Sequence, residues 1–192
     1  MKWSLQRTAG SQVLPVTVSE LKDHLNVAQN DSSQDAKIES LIVAAQGRLQ
    51  RDIDRILITS TFVMNGPSFS DPLKINLKPV TSVLSVRYYD TDGTLQTLDP
   101  TDYRYIASSQ EIVPAIGKTF PTPCENMPDS VQVEFTAGYG ADSDCVPELL
   151  KAAIKLCVGK WFYDPAQESS ALHSQETAYL NIVNCLFRDS YP

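Results

Sequence analysis

The chain has 192 residues, 42% hydrophobic and 20% charged, with a net charge of -7. That length suits one compact domain or two small ones, and the composition is that of a folded globular protein, not a disordered one. The acidic balance argues against a general nucleic-acid binder, which needs clustered Lys and Arg to neutralise phosphates.

Residues 1–14 show no firm period and read as an N-terminal arm. Thr17-x-x-Glu20 is a capping box with Val16 and Leu21 at the staple positions, which predicts a short helix from Val18 to about Val27. Ser32-x-x-Asp35 repeats the logic before a second helix, spanning Ser33 to Arg55, whose apolar stripe is Ile38, Leu41, Ile42, Ala45, Leu49 and Ile53. Its other face is charged and includes Arg48, Arg51 and Arg55. From Ile56 to Thr136 the texture is β, with strands expected at Thr59 to Met64, Leu73 to Leu77, Val83 to Asp90, Leu95 to Leu98, Tyr103 to Ile106, Glu111 to Val113 and Val131 to Thr136. Leu84, Val86 and Tyr88 are expected on one face of the third of these. Asp92-Gly93 is a hairpin turn signal, and Pro114, Pro121, Pro123 and Pro128 suit a surface loop.

In the last strand Val131, Val133 and Phe135 alternate with polar residues, and Gly138 and Gly140 then release the chain from the pattern. A long helix follows from Val146, with Asp144 as its expected cap and Asp164-Pro165 as its stop. It is apolar around most of its circumference except at Glu148, Lys151 and Lys155. A final helix is expected from Ser174 to Phe187 with Ala178, Ile182, Cys185 and Leu186 as its stripe. The fold class is therefore α+β. The helices of 15–56 and 141–192 should form a small bundle, into which 57–140 is inserted as an antiparallel β region.

The chemical inventory is thin. His24 and His173 are the only histidines, with no metal-protease spacing and no nucleophile elbow, so no catalytic residue, metal ligand or cofactor site is expected. Gly117-Lys118-Thr119 lacks the upstream glycine and following helix of a phosphate loop. Asp90-Thr91-Asp92-Gly93 lacks the later ligands of a calcium loop and reads as a turn. The four cysteines have no paired spacing and are expected as free, buried thiols. No run approaches a membrane span, and the N-terminus lacks the apolar core of a signal peptide, so a soluble protein of a reducing cytoplasm is expected. Tyr88, Tyr89, Tyr103, Tyr105 and Tyr139 group in the β region, either as strand residues or as a recognition surface.

Several segments carry a resemblance. EFTAGYG followed by VPELLKAAIKLCVGKWFYDP, together with PVTVSELKDHL, DAKIESLIVAAQGRLQRDI and PVTSVLSVRYYDTDGTLQTLDPTDYRY, resembles the phage head-to-tail connector proteins of the gp6-like and phiE125 gp8-like type, in the right order over most of residues 15–165. The resemblance implies a structural virion protein at the head-tail interface, assembled in the bacterial host cytoplasm. It implies a ring of copies, typically dodecameric, built on a portal protein from subunits that can be monomers when free. A tail, stopper or tail-terminator protein would dock on the ring, and DNA would pass through without being specifically bound; no cofactor and no membrane are involved. It further implies that the C-terminal helix reaches toward the portal, a role placed on Leu186, Phe187, Arg188 and Tyr191. Ring neighbours meet through two different flanks, and Arg48, Arg51 and Arg55 are the expected subunit contacts. On that reading, reversing Arg48 and Arg51 to Glu weakens ring assembly without unfolding the subunit. The alternatives from other classes are a carbohydrate- or protein-binding adhesin-like module using the tyrosine-rich β insertion, and an enzyme whose site leaves no motif.

Overall fold

A computed structural model describes residues 3–10, 12–69, 72–125, 127–164 and 173–188. The chain divides into two compact units, each made from two separate stretches. One comprises Met1–Ser11 and Thr59–Gly138; the other comprises Gln12–Ile58 and Tyr139–Pro192.

The first unit holds the strands of the described residues: β1 (Ser4–Ala9), β2 (Ser60–Gly66), β3 (Leu73–Lys74), β4 (Val80–Tyr89), β5 (Leu95–Thr97), β6 (Tyr103–Ile106), β7 (Glu111–Pro114) and β8 (Val131–Ala137). They form a five-stranded sheet in the order β1-β2-β8-β4-β5 and a three-stranded sheet in the order β3-β7-β6, antiparallel throughout. Strict alternation sets the register. Phe62 and Phe135 are directly paired and stack at 5.8 Å, and Met64 faces Val133, which faces Val86. All five are buried, with Leu73, Ile75, Tyr103 and Ile112 among the other buried apolar residues of this unit.

Within residues 1–14, read as an arm without a firm period, Ser4–Ala9 form a strand that is exposed along its length yet paired with β2. Two expectations change here. The expected strand from Leu73 to Leu77 shortens to two residues. Leu84 does not share a face with Val86: a bulge between Val83 and Ser85 inserts it as an extra residue and leaves it 51% exposed.

The second unit holds α1 (Val18–His24), α2 (Asp35–Ile53), α3 (Glu148–Tyr163) and α4 (His173–Arg188). The capping box at Thr17 is formed in full: Glu20 N–H donates to the Thr17 hydroxyl, and Thr17 N–H donates to the Glu20 carboxylate. α2 starts at Asp35 without a side-chain cap, because Asp31 instead accepts from Ser33 N–H and Asp35 pairs with the buried Lys22 at 2.5 Å. α3 does not start from Asp144. Pro147 holds Val146 in the extended region, so residues 143–145 close a separate 3-10 turn and the helix begins at Glu148. Leu21, Ile38, Ile42, Leu49, Leu150, Ile154, Val158 and Tyr179 are among the residues of one buried core shared by the four helices.

The stripe of α4 is rotated from the expected one. Tyr179 and Val183 are buried and Ile182 is partly buried, whereas Cys185 is exposed. Lys151, expected on a solvated strip, is 4% exposed, with its ammonium on Glu148 at 3.1 Å, and Leu149 takes the exposed position instead.

Candidate assembly surfaces

A connected polar arrangement lies inside the helical unit. α2 presents Arg48 and Asp52 one turn apart, α3 presents Cys157 and Lys160, and α4 presents Glu176 and Tyr179. Glu176 accepts from Arg48 at 2.5 Å and from Lys160 at 3.0 Å. Arg48 also lies 3.5 Å from Asp52, and its guanidinium sits 4.3 Å over the Tyr179 ring. Tyr179 in turn donates its hydroxyl to Asp52 at 2.7 Å. The short bonds from Arg48, then Lys160, hold the Glu176 carboxyl below its ordinary range, and the bond to Glu176 keeps Arg48 protonated. Burial, followed by the bond to Asp52, pushes the Tyr179 hydroxyl up. Burial likewise pushes the Cys157 thiol up to about 11 despite Arg48 beside it, so the group is no nucleophile at neutral pH. Every charge in this set is matched within the unit. It fixes helices and offers no reacting group.

That arrangement relocates one residue of the expected subunit contact. Arg48 faces inward to α4, so a Glu in its place would meet Glu176 and Asp52 and would disturb the fold itself. Arg51 is exposed, and Arg55 donates to the Tyr139 hydroxyl at 2.9 Å. Leu186, Phe187 and Arg188 fall on the last turn of α4, but their side chains lie outside the described residues, as does Tyr191 altogether.

The tyrosines of the β region do not converge. Tyr103 is core, Tyr88 packs edge-on against Phe69 at 5.8 Å, and Tyr139 belongs to the helical unit. The Gly117-Lys118-Thr119 segment is a turn, in which Lys118 N–H donates to Ala115 C=O at 2.9 Å and the ammonium pairs with Asp102 at 3.1 Å. Asp90 accepts from Asp92 N–H and Thr94 N–H, closing the hairpin turn at Gly93. His24 packs beside Gly159 of α3, where a Cβ would lie 3.5 Å from its Nε2. All four cysteines are free, though Cys145 and Cys185 are exposed, contrary to the expected burial. Among the described residues no group of three His, Cys, Asp or Glu is placed to hold a metal ion, and no helix is long and apolar enough to cross a membrane.

Sequence reasoning passed over the open edges of the five-stranded sheet. Among the described residues β1 pairs only with β2, and β5 covers only Arg87–Tyr89 of the ten residues of β4. The run from Val80 to Ser85 has no charge or proline, and two bulges, between Val80 and Ser82 and between Val83 and Ser85, interrupt it as an edge instead.

Comparison with known proteins bears on what such surfaces serve. No curated protein matches the chain. Among solved structures, a chain of "Virion of native gene transfer agent (GTA) particle" has a TM-score of 0.67 and 22% identity, over 83% of this chain and 84% of that one. A chain of "Neck of empty GTA particle computed with C6 symmetry" has a TM-score of 0.68 and 21% identity, over 83% of this chain and 84% of that one. A chain of "Neck of native GTA particle computed with C12 symmetry" has a TM-score of 0.68 and 23% identity, over 83% of each. At this identity the likeness is one of fold. The family model described as "Phage gp6-like head-tail connector protein" matches residues 15–112, which takes in α1, α2, β2 to β6 and the first half of β7. With half of the sequence and most of the fold in agreement, the chain belongs to the phage gp6-like head-tail connector family.

Proposed function

We propose that the protein is a structural subunit of a ring that sits on the portal vertex, joins a DNA-filled capsid to its tail and lines the conduit through which DNA passes. The observation that carries this reading is the family match together with the shared fold of chains from particle necks, one of them computed with C12 symmetry. A head-tail connector works by presenting surfaces, and the residues support such a role: Arg48, Glu176 and Lys160 of the helical unit are paired with one another, and its buried thiol, Cys157, is held protonated. The net charge of -7 suits a wall along which a polyanion slides without sticking. Portal and tail-side proteins are the partners on this reading, with the C-terminal end of α4 directed to the portal.

Sedimentation of the purified protein, alone and with the portal protein of its own particle, tests it. The expected result is a ring-sized shift on the portal that is lost when residues after Asn184 are removed. A native protein that stays unshifted on an intact portal at high concentration overturns the reading.

A further inference from the structure

We infer that the strand-bearing unit docks the tail-side protein through one patch, made by the exposed turn at Ile116 and the aromatic and proline-lined groove beside it. The inference rests on the ring reading above and names where the tail side of that ring is met. Ile116 is 88% exposed, more than any other large apolar residue among the described ones. Its exposure is built into the turn. Lys118 N–H donates to Ala115 C=O at 2.9 Å, Gly117 takes the positive φ of 77° that the third residue of such a turn requires, and Ala115 N–H is tied to Asp102 C=O at 2.9 Å. An isoleucine fixed in water beside other apolar groups gains by being covered.

Pro114 and Lys118, on either side of the turn, also line an open groove of about 360 Å³. Phe69 and Phe120 line it too, stacked at 4.7 Å and nearly parallel, and Tyr88 meets Phe69 edge-on. Pro121 and Pro123 add apolar surface without an N–H to satisfy. Rings and prolines have little conformational freedom to lose when a partner covers them. One turn of helix, about 10–12 Å across and 5.4 Å long, is larger than the groove. An extended segment fits it, the mode in which aromatic grooves take peptides.

Charge narrows the occupant further. Among the described residues Lys118 is the one charged residue of the lining, in a chain of net charge -7. Its side chain is 59% exposed and its ammonium meets Asp102 at 3.1 Å. A pair so open contributes little, and an ammonium has donors left for a second carboxylate. The patch therefore suits an extended apolar segment that carries an Asp or Glu. Neighbouring copies in a ring meet through two different surfaces, whereas turn and groove share Lys118 and make one. On the reading above the portal is met by the end of α4, which belongs to the other unit. The tail-side protein is the partner left for this patch.

The test uses the full chain assembled on its portal, with tails taken from the same particle as the probe. Ile116→Glu and Lys118→Glu each change an exposed side chain and should leave both the circular dichroism and the ring as they are. Ile116→Glu should weaken tail attachment by about thirtyfold or more, the loss of a hot-spot side chain. Lys118→Glu should weaken it as well, and Lys118→Arg should not. Raised salt should loosen the native attachment more than that of Lys118→Glu. Native attachment by both Glu variants, or a native ring that holds no tail, overturns the inference and leaves the ring reading standing. Loss of the ring by a folded Ile116→Glu protein also overturns it, because the patch then joins copies of the chain. Failure of the native protein to form any ring overturns both.

Discussion

Glu176 accepts from two cations on two other helices, far more than the first turn of its own helix would ask of it. In the sequence it reads as a solvated residue, because HSQETAYLNIV offers no apolar signal at that position. Only Tyr179 and Val183, three and seven residues on, mark its face as the inward one. The same blindness rotated the predicted stripe of α4: Ala178, Ile182 and Cys185 are the hydrophobic guess, whereas the helix turns to bring a carboxylate and a tyrosine hydroxyl to Arg48 and Asp52. Removing the charge but not the shape isolates the term. Glu176→Gln should cost about 1.5–3 kcal/mol at neutral pH, the worth of hydrogen bonds to charged groups. The sign of its pH dependence follows from the lowered carboxyl. In the native protein the contribution is complete above the ordinary value of 4.5 and is lost as pH falls through the lower folded value. Denaturant melts should therefore separate the native protein from the variant at neutral pH and bring them together in acid. Parallel curves across the whole range would refute this role for Glu176.

At the scale of elements, what the sequence reveals depends on whether an element has a buried face. β2 and β8 alternate cleanly and were placed within a residue or two; α2 and the body of α3 were equally legible. β1 has no buried face and so no period, and side-chain anchors define it instead. Arg7 and Thr8 bond to Ser60 and Thr61 of β2, and Trp3 lies over Gly66 so closely that a Cβ there would fall 2.5 Å from the indole ring. Glycine at 66 is thus a matter of space for Trp3, a pairing across 63 residues that no local pattern announces. Gly66→Ala should expel the indole, costing about 1–3 kcal/mol as overpacking does. It should also shift the fluorescence of Trp3 to the red, read in a Trp161→Phe background. An unshifted spectrum would mean that the indole does not depend on the gap.

For the whole molecule the order of elements was legible because the hydrophobic period changes twice, from helix to strand after Ile53 and back after Ala137. The resemblance to a connector rested on that order more than on any motif, and it carried no catalytic residue with it, only the expected docking end at Leu186, Phe187, Arg188 and Tyr191. Less legible was the place of residues 1–11, which carry no period of their own and join the strands, while Gln12–Ile58 joins the C-terminal helices, so each unit is made from two stretches of chain. Each has a core of its own, however. The buried cluster of the helical unit draws on α1, α2, α3 and α4 and includes no residue of the sheets. A cavity in that core should be felt by all four helices at once. Ile154, fully buried at the centre of α3, is the position to choose, and Ile154→Ala should cost about 2–5 kcal/mol. Amide exchange then locates the loss: protection in α1, α2 and α4 should fall together with that of α3, while the amides shared by β2 and β8 keep theirs. Exchange confined to α3 would mean that the four helices are not one cooperative body, and an equal loss in the strands would mean that the two cores melt as one.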